Sequence, residues 1–308
     1  MTSLRTRLAP SPTGALHVGN MCTFVLNWVM AKQAGWEIVM RIEDIDGPRK
    51  KQGMIEEIFE ILSWMGLHWD IEERRQSEQL EPSFELLSEL IRKHSVYHCS
   101  LTRKEIEKCL SAPHTKDNHV GPLYRPQDIA IHNANQPHPK TNWRFKASEE
   151  PRTITDQISG THTFTDVNDF IVWTKDNVPS YQLAVVADDH RQGITDVVRG
   201  YDLLESASWQ EQLYEKMDWM KPKWHHLPLV LGKDGKRLAK RHGDSRISSY
   251  RTRKVSQERI IGLIAMWTIP NYPRKPMALE EFVHAFDVNK LMNASFQFTK
   301  EDETWLLG

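Results

Sequence analysis

The sequence predicts an α/β fold: a parallel sheet with an inserted α+β subdomain and a short C-terminal helical region. Three observations carry this. Strand-like and helix-like runs alternate from Leu4 to Lys93, and the alternation returns from Tyr181. Between about Tyr97 and Pro179, short strand-like runs sit among Pro, His, Asn and Asp. Beyond residue 236 the chain reads as helical. Regular alternation is what a sheet covered by crossover helices requires. The expected divisions are 1–96 and 181–235 for the two halves of the sheet domain, 97–180 for the insertion, and 236–308 for a basic loop and the helical region.

Each element has a local cause. Leu4–Leu8 is a short extended run. Residues 9–14, Ala-Pro-Ser-Pro-Thr-Gly, cannot be helical, because each proline biases its predecessor away from the α region. His17 to Asn20 then opens an apolar helix, predicted over Met21–Ala34 and closed by Gly35. Trp36–Ile42 reads as a strand that runs into Glu43, Asp44 and Asp46. Ile55, Ile58, Phe59, Leu62 and Met65 fall on one helical stripe, which Gly66 ends. Leu80–Lys93 is another helix. In the insertion, Trp143–Phe145 and Phe170–Trp173 are strand-like. An apolar run Tyr181–Val186 follows, then Ile194–Arg199, a helix from Asp202 to Met217, and a last strand over His226–Leu231. Glu258–Trp267 and Leu279–Phe286 are the clearest helices of the tail.

Composition narrows the function classes. The 308 residues carry 40 Lys+Arg against 41 Asp+Glu, which excludes a globally basic nucleic-acid binder and leaves a local basic patch open. The 39% hydrophobic content and near-zero charge exclude a disordered chain. No run of about 18 apolar residues exists, so no membrane span is expected. The N-terminus lacks the apolar core of a secretion signal. Cys22, Cys99 and Cys109 are too scattered for a disulfide framework, and a cytoplasmic location is expected.

Two segments carry chemistry. Pro10 to Asn20 is a proline-stiffened loop running into a helix N-terminus, whose N–H groups and partial positive charge suit phosphates. His17 can donate to a phosphate oxygen, and Gly19 lets a base or phosphate approach the backbone. Lys233–His242 holds five Lys/Arg around Gly235, a turn able to close over a polyanion. Alone, the first reads equally as a turn before a core helix and the second as a solvated loop. Together they lie after the first and the last strand of the α/β region, where loops of an open sheet meet a ligand.

These residues carry a resemblance. Arg7–Gly19 resembles the HIGH signature of class I aminoacyl-tRNA synthetases in its glutamyl form, and Arg237–Arg241 resembles the KMSKS loop. Arg41–Asp46 and Asp188–Leu204 resemble two further glutamyl-type blocks, in the right order. Val185 stands where glutamyl-tRNA synthetases usually place an Asn. That feature, and a chain with no long anticodon-binding region, is similar to the glutamyl-Q tRNA(Asp) synthetase branch. Arg237 and Ala239 depart from the KMSKS pattern, but the positive charge survives.

The resemblance implies a Rossmann-type parallel sheet and an acceptor-binding-like insertion. It implies glutamate binding by Arg7, Ala9, Ser11, Glu43, Tyr181 and Arg199, and ATP binding by Pro10, His17, Gly19, Asn20, Arg237 and Lys240. His17 and Lys240 are the implied catalytic residues, with ATP and Mg²⁺ as substrate. A dicarboxylic amino acid needs cations for its carboxylates and one anion for its ammonium, which this set supplies. The family's zinc site is largely replaced: Cys99 is kept, Leu101 stands for the second Cys, and Val120 and Tyr124 stand where the later pair falls. No bound metal is therefore expected, although Cys99 with His98, Cys109 or His119 forms the one improvised alternative. The implied partners are L-glutamate, ATP and queuosine-containing tRNA(Asp), with no membrane and a monomeric chain. A compact synthetase charging tRNA(Glu) and a non-catalytic RNA-binding paralogue are the rival expectations.

Overall fold

A computed structural model of the chain describes residues 3–45, 53–99, 141–165, 168–236, 238, 245–292 and 294–308. The first half runs β1 (Arg5–Leu8), α1 (Val18–Ala34), β2 (Glu37–Met40), α2 (Met54–Trp64), β3 (Ile71–Glu72) and α3 (Glu81–Arg92). Strands β1, β2 and β3 pair in parallel in that order. Helix α1 begins three residues before its predicted start because His17 caps it. The His17 ring accepts from the Asn20 N–H, and the Asn20 side chain accepts from the His17 N–H. Gly35 ends the helix in the left-handed conformation, its N–H bonded to the Ala31 carbonyl.

There follow β4 (Val96–Cys99), β5 (Asn142–Phe145), β6 (Arg152–Asp156), β7 (Gly160–Phe164) and β8 (Phe170–Trp173). Strands β4, β5 and β8 form an antiparallel sheet. The second half follows as α4 (Tyr181–Arg191), β9 (Asp196–Gly200), α5 (Leu204–Lys216), β10 (Lys223–Leu227) and β11 (Val230–Leu231). Tyr181–Val186 is thus the start of a helix, capped by the Ser180 hydroxyl. The predicted last strand is two strands, β10 and β11, with Pro228 between them.

Strands β9 and β10 pair in parallel. Thr195, at the head of β9, joins them to the first half: its N–H donates to the Arg5 carbonyl at 3.0 Å, and the Arg5 N–H donates to its hydroxyl at 2.8 Å. The strands therefore lie in the order β3-β2-β1-β9-β10, a doubly wound sheet of the expected Rossmann type. Its switch point lies between β1 and β9, where such sheets bind ligands beyond their strand ends. The sequence did not foresee the placement of the β6–β7 hairpin. It joins the outer edge of this sheet, β6 lying parallel to β10 at Trp224 and Asp156.

The tail is α6 (Ile247–Thr252), α7 (Gln257–Thr268), α8 (Leu279–Ala285), β12 (Phe296–Gln297) and α9 (Lys300–Leu307). It packs on α1: Gln33 donates to the Val283 and Phe286 carbonyls at 2.6 and 2.7 Å. Helix α7 comes so close to the following loop that a Cβ at Gly262 would lie 2.1 Å from the Lys275 carbonyl oxygen. Gly262→Ala is accordingly expected to cost about 1–3 kcal/mol through forced backbone displacement. A denaturation midpoint equal to the parent's would contradict that close packing.

Candidate active site

The front bend meets the segment that follows the basic loop. The Val18 N–H donates to the Ser245 carbonyl at 3.0 Å, and the Ile247 N–H donates to the Leu16 carbonyl at 2.9 Å. His17 and Arg246 face each other as a bridge pair within this short ladder. On the other side, the Leu238 N–H donates to the Val230 carbonyl at 2.9 Å, and Leu238 is buried. Gly19 packs between the His17 ring and Val230, where a Cβ would lie 3.1 and 3.5 Å from them. The chain therefore leaves for the basic loop beside Gly19 and returns onto His17. Arg237 and Lys240 themselves lie outside the described residues, as do Asp46 and Arg241. With Nδ1 accepting from the backbone, a neutral His17 carries its proton on Nε2, a donor suited to phosphate oxygen.

At the carboxyl ends of β1 and β2 a buried charge cluster forms. Arg7, at the end of β1, places Nε 3.1 Å from Asp189 Oδ1, and its Nη1 donates to the Val198 carbonyl of β9 at 3.3 Å. Arg41 reaches the same Asp189 oxygen at 2.7 Å and Glu43 at 2.9 Å, and also donates to Gln192. Burial pushes the Asp189 carboxyl up, and the two guanidiniums more than reverse this, holding it below the usual carboxylate range. Its neighbour Asp188 goes the other way. Burial raises it beyond what Arg41 and a 2.7 Å hydrogen bond from Gln76 restore. Glu43 is fixed at its backbone by donation to the Pro10 carbonyl at 3.1 Å. Pro10 is buried, Ala9 half-buried and Ser11 exposed.

Tyr181, the first residue of α4, faces this cluster. Burial raises its hydroxyl pKa, and Arg199, Glu43, Arg7 and Asp189 all act on it electrostatically. Arg199, on β9, is 5% exposed. It donates from Nε to His226 Nε2 at 2.9 Å, from Nη1 to Gln210 at 2.8 Å, and from Nη2 to the Leu203 carbonyl at 3.1 Å. Gln210 in turn donates to Gln182, which donates to Ser206. Four of the predicted glutamate residues, Arg7, Glu43, Tyr181 and Arg199, thus come together from four separate segments. The arrangement brings guanidiniums and the Glu43 carboxylate together around Tyr181, with Asp189 bound between Arg7 and Arg41.

Sequence reasoning assigned no role to Arg41, Asp189, Asp156 or His226, although two of them fall within the quoted blocks. A pair of adjacent aspartates directly after the apolar run Leu183–Ala187 was the available signal. Cys99 is buried, and His98 sits 3.0 Å from the Thr141 hydroxyl with its ring against Trp143. Among the described residues no three His, Cys, Asp or Glu side chains form a metal-ligand group. Leu101, Cys109, His119, Val120 and Tyr124 lie outside the described residues. Cys22 is buried, which pushes its thiol up to about 12 and excludes a reactive thiolate there. No helix among the described residues is long and apolar enough to cross a membrane.

Comparison with known proteins places the chain. The family model of the catalytic domain of class I tRNA synthetases (E and Q) matches residues 3–305. A glutamyl-Q tRNA(Asp) synthetase of Rhodopirellula baltica is 39% identical over 276 residues, covering 85% of this chain and 84% of that one. Glutamate–tRNA ligase 2 of Maricaulis maris is 37% identical over 250 residues, covering 80% of this chain but only 52% of the ligase. The crystal structure of glutamate-tRNA synthetase from Elizabethkingia anophelis superposes with a TM-score of 0.80 at 26% identity, covering 99% of this chain and 70% of that chain.

Proposed function

The chain belongs to the class I tRNA synthetase family of the glutamate and glutamine type, and from that premise we propose that it activates L-glutamate with ATP and transfers the glutamyl group to the queuosine base at the wobble position of tRNA(Asp). ATP enters as its Mg²⁺ complex. A carboxylate oxygen of glutamate attacks the α-phosphorus, the bond to the bridging oxygen breaks, and pyrophosphate leaves. A hydroxyl of the queuosine ring then attacks the acyl carbon, and AMP leaves. Activation needs no tRNA, and no covalent enzyme nucleophile takes part.

Catalysis in this reading is positioning and charge stabilisation. Arg199 and Arg7 face the substrate carboxylates, and Glu43 faces the ammonium. Ala9 and Ser11 line the same opening. Pro10, His17, Gly19, Asn20 and Arg237 hold the nucleotide, and Lys240 stabilises charge on the α-phosphate. The observation that carries the reading is the ladder between Leu16–Val18 and Ser245–Ile247, which pins one end of the basic loop beside His17.

Val185, buried on α4, and the Rhodopirellula relative support the queuosine acceptor. The Maricaulis relative favours the second reading, charging of tRNA(Glu). Labelled glutamate incubated with the protein, ATP and each tRNA separates them. Label is expected on queuosine-containing tRNA(Asp) and on neither queuosine-deficient tRNA(Asp) nor tRNA(Glu). Label on tRNA(Glu) alone would replace the first reading by the second. Absence of glutamyl-adenylate with every tRNA and without any would leave the RNA-binding paralogue.

A further inference from the structure

Arg199 stands apart from the other guanidiniums of the site. Arg7 and Arg41 are paired directly with Asp189 and Glu43, whereas among the described residues every hydrogen-bond partner of Arg199 is neutral, namely His226, Gln210, the Leu203 carbonyl and Tyr181, and Asp189 acts on it only at longer range. Burying a cation without an anion is costly, and here burial lowers the pKa of the group. The fold nevertheless holds its plane on three sides, and the Trp224 ring lies 4.8 Å from the guanidinium carbon.

The most buried of these partners is His226, which is fully inaccessible. Arg199 Nε can only donate, so His226 Nε2 must accept, and the imidazole proton must sit on Nδ1. Nδ1 lies 2.7 Å from Asp156 Oδ2, and the His226 backbone N–H donates to that same oxygen at 2.9 Å. Asp156 is itself anchored: its Oδ1 accepts from the N–H groups of Ile158 and Ser159 and from the Ser159 hydroxyl. Burial pushes the His226 pKa down to about 4, so the ring is neutral and its Nε2 lone pair is available at physiological pH.

We propose that Asp156 and His226 are positioning residues for the amino-acid substrate: they orient Arg199 through a neutral acceptor, so that its charge stays uncompensated until a substrate carboxylate arrives. A carboxylate in the place of His226 would fix the guanidinium equally well but would neutralise it and compete with glutamate. The β6–β7 hairpin of the insertion thereby contributes to amino-acid affinity through Asp156. The proposal rests on the reading of Arg199 as a substrate ligand.

The test compares Arg199→Ala, His226→Asn, His226→Gln and Asp156→Asn by KM for glutamate and for ATP in pyrophosphate exchange, with thermal midpoints. Asn at 226 keeps a donor toward Asp156 and loses the acceptor for Arg199, while the longer Gln can still accept from Arg199 Nε. His226→Asn is expected to raise the glutamate KM about tenfold or more with the ATP KM unchanged, and His226→Gln to recover most of it. Should His226→Asn fail to fold, His226→Gln and Asp156→Asn carry the comparison, with the larger glutamate effect expected for Asp156→Asn. Arg199→Ala without effect on glutamate would overturn the reading of Arg199 itself. A large effect of Arg199→Ala with none from His226 or Asp156 variants would overturn only the positioning role. Equal rises in both KM values, tracking lost thermal stability, would reduce the pair to a structural one and also overturn it.

Discussion

Lys240→Ala is expected to lose glutamate-dependent ATP–pyrophosphate exchange by a factor of about 10²–10³ or more, with the fold intact. When the carboxylate oxygen attacks the α-phosphorus, negative charge builds on the phosphate oxygens, and a preplaced cation stabilises the transition state more than the bound substrate. The described flanks of the loop are held by backbone hydrogen bonds, Leu238 to Val230 on one side and Ser245 and Ile247 to Val18 and Leu16 on the other. None of these bonds depends on the lysine side chain, so thermal unfolding of the variant should match the parent. Full exchange activity in the variant would remove the catalytic role of the loop.

Asp189→Ala is expected to have the largest effect on stability, about 3–5 kcal/mol, because it leaves two buried guanidiniums facing each other across an empty site. Arg41 retains Glu43, but Arg7 retains only a carbonyl. The parent should show a matching dependence on pH. The Asp189 carboxyl is held below its unfolded value, so its contribution is fully present above that unfolded value, near 4, and is lost as pH falls through the lower folded one. Asp188 is shifted up, in part by Asp189 itself, and works in the opposite sense, so the two contributions partly offset in the parent. The gap in urea midpoint between parent and variant should therefore be constant from pH 7 down to about pH 4 and begin to narrow as pH falls further toward 3. A gap that does not narrow below pH 4, or one that narrows well above it, would contradict the ionised pair.

The fold was legible where local chemistry decides it. Proline-stiffened residues 9–14, the helix end at Gly35 and the alternation of elements all read directly, and the parallel sheet follows from them. Helix α1 began earlier than expected because histidine is an uncommon cap, and its reciprocal bond with Asn20 is visible only once both are folded. The split of the last strand at Pro228 was marked by the proline itself. The β6–β7 hairpin on the sheet edge was not legible, since its pairing with β10 depends on long-range contact.

The site divides in the same way. Arg7, Glu43, Tyr181 and Arg199 were named through the resemblance of the blocks that hold them, not through their residue types alone. Their supports were not. Asp189 meets Arg7 across 182 residues, and His226 meets Asp156 across 70. His226 lies in a strand otherwise rich in core residues, where a histidine gives no local sign of its partner.

The claim on which the account turns is that the bend at His17 and the lysine-bearing loop enclose one triphosphate. A crystal structure of the protein with glutamate and a non-hydrolysable ATP analogue tests it most directly. The account predicts the triphosphate between His17 and Gly19 on one side and Lys240 on the other, with a glutamate carboxylate at Arg199. A nucleotide bound elsewhere, or a phosphate chain out of reach of Lys240, would contradict it.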